Sequence, residues 1–340
     1  MIHLHEVDAT TSVGDRRRQT GPATVENRRL DCYDGTLSMQ KLAARSSPPL
    51  IVELPAPRPF LKWVGGKTQL LDQFRPLLPE MFGRYFEPFV GGAALFFALR
   101  PARSSLRDVN EELVDCYRAI RDDVDAVIAA LGKHRYEESH YYKVREVDPT
   151  SLPRPQRAAR TIFLNKTGFN GLYRVNRAGQ FNVPFGRHTN PSICDEDNLR
   201  SCSLALQGVE LEVRDFRRIV RDAVAGDFVY FDPPYAPVSD TADFTAYAAG
   251  GFGWADQESL AKVFSDLTAK GVYAMLSNSD TQGVRDLYQG FAIDDVSAAR
   301  NVNSNIARRG KVAEVVVRNY GRRLVQTNGR SRRRAQRIAV

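Results

Sequence analysis

Asp232, Pro233, Pro234 and Tyr235 follow directly on the apolar run Phe228, Val229, Tyr230 and Phe231. Such a run reads as a buried strand, which sets the Asp232 carboxylate just past the strand end. Pro233 and Pro234 have no N–H and a fixed φ, so their carbonyl oxygens point in set directions. Tyr235 adds a flat aromatic face. A carboxylate acceptor, a rigid carbonyl and a stacking ring at a strand's carboxyl end suit the capture of a planar base by its exocyclic amine. The plainer alternative is an apolar strand running into a proline turn.

A second group of residues suits a nucleotide-like cofactor. Gly91 and Gly92 follow the stretch YFEPFV, and a glycine pair there lets a ligand approach the backbone at a helix amino terminus. Asp108 ends the next strand-like stretch, where a carboxylate can accept hydrogen bonds from ribose hydroxyls; a helix cap is its competing role. Trp63 and Lys67 straddle Gly65 and Gly66. An indole can cover a purine or a sulfonium, and a lysine can neutralise a carboxylate; a core tryptophan and a surface lysine fit the same spacing. Neither GxGxxG nor GxxxxGK[ST] occurs, so the nicotinamide-site fingerprint and the P-loop are both missing.

A third group is set by charge. From residue 149 to 194 there is no Asp or Glu, while Arg154, Arg157, Arg160, Lys166, Arg174, Arg177 and Arg187 all lie there. Asn165, Asn170, Asn176 and Asn182 share the window with Phe163, Phe169, Tyr173, Phe181 and Phe185. Cations for phosphates, amides for base edges and rings for wedging make the composition of a nucleic-acid surface. The formal net charge of +8 adds little to this argument, because seven arginines in residues 321–340 leave only +1 for the rest of the chain. That tail reads equally well as a nonspecific nucleic-acid grip or a solubilising end.

The elements that must hold these groups follow an α/β order. A double glycine precedes an apolar helix after Phe60; strand, glycine turn and helix follow through RYFEPFVGGAALFFAL; a short strand ends at Asp108. Residues 112–147 carry apolar positions at spacings of three and four, as a helical stretch requires. The basic window, heavy in turn residues, comes next. Strands are expected around residues 204–213 and 227–231, then a helix over 256–270, the strand GVYAMLSNSD, a helix over 281–289 and a closing strand in KVAEVVVRNY. This is half of a Rossmann-like sheet, an insert, then the other half. At 340 residues the chain has room for one large α/β domain and a smaller insert. Residues 1–47 show no sustained period and read as a disordered extension, continued by a proline-rich lead-in. No apolar run reaches 18 residues and no signal-peptide core is present, so a cytoplasmic protein is expected. Four cysteines without a CxxC pair and five scattered histidines imply free thiols and no structural metal.

From about Pro59 to Tyr320 the chain resembles the Dam-type, alpha-class (D12) family of DNA adenine-N6 methyltransferases. FLKWVGGK, FEPFVGG, RDVN, NKTGFNGLYRVNRAGQFNVPFG, FDPPYAP followed by FTAY, and SNSDT occur in that family's order. The resemblance implies a class I Rossmann-like S-adenosylmethionine methyltransferase sheet with an inserted, mainly helical DNA-recognition domain. It divides the chain into an extension at 1–57, a catalytic domain at 58–120 and 202–320, a target-recognition insert at 121–201 and a basic tail at 321–340. Trp63, Lys67, Asp108 and Asp232 match S-adenosylmethionine-binding positions, with Glu87, Phe89 and Gly91 lining the same pocket. Asp232, Pro233, Pro234 and Tyr235 match the catalytic motif that holds adenine. Lys62 matches the lysine that helps read the outer guanine of GATC; Leu172, Arg174 and Pro184 match base-reading positions. Phe169 matches the wedge that fills the gap of a flipped base, with Asn170 beside it. Some Dam proteins carry Tyr there, so Phe169 keeps the apolar plane and loses a hydroxyl. Asn165, Asn176 and Asn182 complete the expected DNA-binding set. The implied partner is double-stranded DNA, met by a monomer in the nucleoid-associated cytoplasm, with S-adenosylmethionine and no metal. Alternatives are the same chemistry at another short site within a restriction-modification system, and an inactive DNA-binding homologue. Asp232 argues against cytosine-N4 and RNA-adenine enzymes, which usually carry Ser or Asn there.

Overall fold

The computed structural model describes residues 54–236, 251–299 and 311–321. The expected extension up to residue 53, the FTAY stretch at 244–247 and the arginine tail lie outside the described residues. In chain order, a 3-10 turn at Lys67–Leu70 leads to α1 (Leu71–Phe74), β1 (Tyr85–Glu87), α2 (Ala94–Leu99) and β2 (Ser104–Asp108). Then come α3 (Glu111–Asp122), α4 (Val124–Leu131), α5 (Glu138–Glu146), α6 (Arg154–Thr167) and α7 (Glu196–Leu206). The second half runs β3 (Glu210–Val213), α8 (Ile219–Asp222), β4 (Phe228–Phe231), α9 (Trp254–Ala269) and β5 (Tyr273–Ser279). α10 (Gln282–Leu287), β6 (Ala292–Ala299) and β7 (Lys311–Arg318) close it.

The strands form one sheet in the order β3-β2-β1-β4-β5-β7-β6. β1 to β5 pair in parallel, and β7 lies antiparallel between β5 and β6. This is the Rossmann-like α/β architecture read from the sequence. The chain moves outward from β1 through β2 to β3, then returns to lay β4 on the other side of β1. The order reverses between β1 and β4, and the crevice above their carboxyl ends is where such a sheet takes its ligand.

Successive strand residues face opposite ways, and both faces are covered. Tyr85, Leu106, Phe228, Tyr230 and Met275 join the apolar cluster built with α2 to α7. Phe86, Val229, Phe231, Ala274 and Leu276 join the cluster built with α8, α9 and α10. Double coverage is why β4 and most of β5 read as unbroken apolar runs. The helices between β2 and β3 therefore share a core with the sheet. Among the described residues no helix is long and apolar enough to cross a membrane.

Several local expectations change. The strand foreseen from Leu204 begins only at Glu210; before it, α7 runs to Leu206. Asp195 caps α7 by accepting from the Asn198 N–H, with Glu196 and Asp197 in the first turn, where acids favour a helix. The basic window is not turns throughout: α6 fills residues 154–167, entered through a proline in its first turn. The helix expected after Gly65-Gly66 is broken into short pieces, because Pro76 follows within a few residues. β6 was not foreseen; Asp294 and Asp295 interrupt its apolar pattern, which an edge strand tolerates.

Candidate active site and nucleic-acid interface

Three carboxyl groups line the switch-point edge: Glu87 closes β1, Asp108 closes β2 and Asp232 follows β4. Asp232 Oδ1 pairs with Lys67 Nζ at 2.7 Å and accepts from Ser277 Oγ at 3.0 Å. Lys67 is only 3% exposed, so this pair is shielded from screening by solvent. Burial pushes the Asp232 carboxyl above its ordinary range, and the Lys67 cation and the Ser277 hydroxyl pull it back. Ser277 is in turn linked to the buried Tyr230 phenol at 2.9 Å. Among the described residues, neither Asp232 Oδ2 nor the Pro233 carbonyl oxygen accepts a hydrogen bond. They supply the carboxylate acceptor and the rigid carbonyl that the sequence offers to an exocyclic amine.

The turn beyond Asp232 is tied down from three elements. Gln257 of α9 donates to the Pro234 carbonyl at 2.9 Å and accepts from Asn278 Nδ2 at 3.0 Å. Asn278 Oδ1 of β5 accepts from the Ala236 N–H at 3.2 Å, and Ser279 Oγ donates to the Ala236 carbonyl at 2.8 Å. Tyr235 donates its phenol proton to Glu314 Oε2 of β7 at 2.5 Å, and Lys67 Nζ lies 4.6 Å from its ring centroid. Lys67, a residue suited to neutralising a carboxylate, is paired here with Asp232 and lies against the Tyr235 ring. Ser277, Gln257, Asn278 and Glu314 had no assigned role. Their signal was polarity out of place: Ser-Asn-Ser ending the apolar strand of β5, and one acid inside the β-branched run of β7.

The rest of the pocket assembles around β1 and β2. Glu87 is buried, accepts from the Tyr85 phenol at 2.9 Å, and has its carboxyl pushed up to about 8 by burial, with the Asp232 charge adding to the rise. Asp108 accepts from the Asn110 N–H at 3.0 Å and from the Gly91 N–H at 3.4 Å, and burial raises it to about 6. Gly91 has φ +44°, and a Cβ there would meet Trp63 Cδ1 at 2.8 Å, so glycine is what lets the indole lie against the turn. Phe89 packs on Phe216 and Phe252 at centroid distances of 5.2 and 5.7 Å. This donor set suits S-adenosylmethionine: carboxylates for ribose hydroxyls and for a cationic centre, and aromatic walls for a purine.

Residues 168–186 form a narrow loop, bridged at Gly168–Phe185 and Val175–Phe181. At its root, the Phe169 N–H donates to the Pro184 carbonyl at 2.9 Å. Phe169 is 47% exposed, Asn170 (φ 55°) is exposed beside it, and Leu172 is half-buried. Arg174 and Asn182 are joined side chain to side chain at 2.8 Å. Asn176 spends its amide on closing the tip, accepting from the Ala178 and Gln180 N–H groups. Asn165 corrects the sequence reading. It is fully buried, with its amide spanning the Lys62 N–H (2.7 Å), the Lys62 carbonyl (2.7 Å) and the Gly171 carbonyl (3.0 Å). Its side chain has no free edge for DNA. It anchors the loop to the segment carrying Lys62, whose aliphatic stem packs on Gly171. Next in sequence, Trp63 stacks on Tyr173 at 5.2 Å and 27°. The pocket and the loop thus meet at two consecutive residues.

A Rossmann-like sheet with carboxyl groups at the ends of β1, β2 and β4, beside a loop of basic and aromatic residues, is consistent with a methyltransferase fold. The sequence pattern described as D12 class N6 adenine-specific DNA methyltransferase matches residues 63–302. The chain is 43% identical over 272 residues to the Type II methyltransferase M1.LlaDCHI of Lactococcus lactis subsp. cremoris, covering 78% of this chain and 96% of that protein. It is 41% identical over 286 residues to the Type II methyltransferase M.MjaIII of Methanocaldococcus jannaschii, covering 77% and 99%. To the DNA adenine methylase of Serratia marcescens it is 38% identical over 264 residues, covering 76% and 97%. The chain belongs to the D12 class of N6 adenine-specific DNA methyltransferases.

Proposed function

We propose that this protein transfers a methyl group from S-adenosylmethionine to the N6 of an adenine extruded from double-stranded DNA, at GATC. The observation that carries the reading is the arrangement around Asp232: Oδ1 is fixed by Lys67 and Ser277, while Oδ2 and the Pro233 carbonyl remain as acceptors. When bound, S-adenosylmethionine supplies an electrophilic methyl group; Trp63, Glu87, Phe89, Gly91 and Asp108 are the residues that would hold it. An adenine inside a duplex is paired, so its extrusion costs a few kcal/mol, and the exposed Phe169 ring is suited to fill the gap. The N6 lone pair is delocalised into the base. Hydrogen bonds from N6–H to Asp232 Oδ2 and the Pro233 carbonyl favour a pyramidal nitrogen with its lone pair aimed out of the ring plane. Charge developing on that nitrogen meets the same two acceptors, which is differential stabilisation of the transition state. Asp232, with its carboxyl raised by burial, can then hold the proton the amine sheds.

Residues 121–201 act as the target-recognition insert in this reading. Lys62, Leu172, Arg174 and Pro184 support GATC through their match to the family's base-reading positions, and three of them sit on or at the root of one exposed loop. The Type II relatives favour a second setting for the same chemistry, as the protective partner of a restriction enzyme. Transfer of tritiated methyl groups into a GATC duplex, beside duplexes with the site scrambled, tests the assignment. Asp232→Ala is expected to abolish turnover and to leave most DNA binding; substantial residual transfer would refute the role given to Asp232.

A further inference from the structure

Glu314 is out of character for its strand. It precedes Val315, Val316 and Val317, all buried, and its register sets it opposite Ser279 of β5 and Val296 of β6 in the interior of the sheet. β-branched residues are what such a position favours, and taking a carboxylate partly out of water costs free energy unless a partner compensates. One partner at the site is Tyr235: its phenol donates to Glu314 Oε2 at 2.5 Å, in the short range of a charge-assisted bond. The same ring has Lys67 Nζ 4.6 Å from its centroid, and that Nζ is 2.7 Å from Asp232. Tyr235 is thus held at its tip from β7 and on its face by the cation that fixes Asp232, while Asn278 and Ser279 hold the backbone one residue on.

We propose that Glu314 is a positioning residue for methyl transfer: it fixes the Tyr235 ring against which the extruded adenine stacks, at a set angle to the Asp232 acceptor. The inference rests on the functional reading above. An aromatic ring on a proline turn can swing about two torsions, and a base stacked on a swinging ring presents its amine over a range of directions. Anchoring the hydroxyl removes that range. An error of about 1 Å in the placement of reacting groups can cost about a hundredfold in rate. β7 is suited to the task because it runs antiparallel beside β5 and so brings its early residues to the carboxyl edge where the site lies.

The test is a double-mutant cycle on Glu314→Ala and Tyr235→Phe, with Glu314→Gln as the conservative variant. Steady-state methyl transfer gives kcat and the KM for DNA. A GATC duplex with 2-aminopurine at the target position, read without methyl donor, reports the extruded base independently of turnover. Each single variant is expected to lower kcat about tenfold or more, as loss of a hydrogen bond to a charged group does, with KM for DNA changed less than about threefold. The double variant should lose no more kcat than the larger single, because both singles remove the same Tyr235–Glu314 bond. All three should shift the 2-aminopurine emission equally. Glu314→Gln keeps an acceptor and should recover most of the kcat. Multiplying losses in the double variant, a wild-type kcat in Glu314→Ala, or a change confined to the melting temperature would each overturn the proposal. Should the wild-type protein methylate no adenine at all, the functional reading fails, while the emission measurements still decide whether Glu314 and Tyr235 act as one unit.

Discussion

Replacing Lys67 by methionine keeps an unbranched side chain one atom shorter and removes its charge. The magnitude follows from the 2.7 Å pair with Asp232, in which Lys67 is 3% and Asp232 20% exposed. At an effective dielectric of about 20, two unit charges at that separation attract by about 6 kcal/mol. Desolvation opposes most of this, and removal of one partner from such a pair costs about 3–5 kcal/mol. At 1.36 kcal/mol per pH unit, about 3 kcal/mol raises the Asp232 carboxyl by about two units. Burial already pushes that carboxyl upward, so the two effects have the same sign. The ionised form is the one that accepts from N6–H, and it is lost as pH falls through the folded-state value. The acid limb of kcat against pH should therefore move up by about two units in Lys67→Met, with activity returning in alkali. The assay is methyl transfer into a hemimethylated GATC duplex at saturating donor, across a series of buffers. A lower plateau with an unmoved acid limb would refute the reasoning, and would confine Lys67 to binding the donor.

Burial raises the Glu87 carboxyl to about 8, and a sulfonium bound beside it, as the proposed function implies, would favour its ionised form. Calorimetry should show S-adenosylmethionine binding tighten as pH rises through about 8, with a flatter profile for the uncharged-sulfur product and for Glu87→Gln. Asn165→Ala strands the Lys62 and Gly171 backbone groups. It should cost about 2–3 kcal/mol in urea unfolding and weaken discrimination among DNA sites. Phe169→Ala removes an exposed ring, so stability should change by less than about 0.5 kcal/mol. Methyl transfer should still fall at least tenfold, or the wedge assignment is wrong.

The parts legible in the sequence were those written locally. β4 and β5 announce themselves as apolar runs because both of their faces are buried, and Asp232 marks the place where the run of β4 stops. β6 stayed hidden, since an edge strand can carry Asp295 facing solvent and Asp294 paired with Arg318, and both break the apolar pattern. Asn165 was misjudged for a different reason. Its partners at Lys62 lie about a hundred residues away in sequence, and an amide between basic and aromatic neighbours looks the same whether it faces DNA or the backbone. Glu314 and Ser277 were visible as polar residues in apolar strands, but only the sheet order brings β7 and β5 to the edge where Asp232 lies.

The adjacency of Lys62 and Trp63 sets a limit on modular redesign. Lys62 is stitched by Asn165 to the root of the loop, and Trp63 leans on Gly91 while stacking on Tyr173. A chimera exchanging only the tip, residues 174–182, keeps every one of these joints. A transplant that replaces residues 165–173 loses the amide link to Lys62 and the ring stacked on Trp63, and with them, on the function proposed above, the registration between the reading loop and the donor pocket. If the loop sets target choice as proposed, that choice can be rewritten from the tip inward, but only as far as Tyr173.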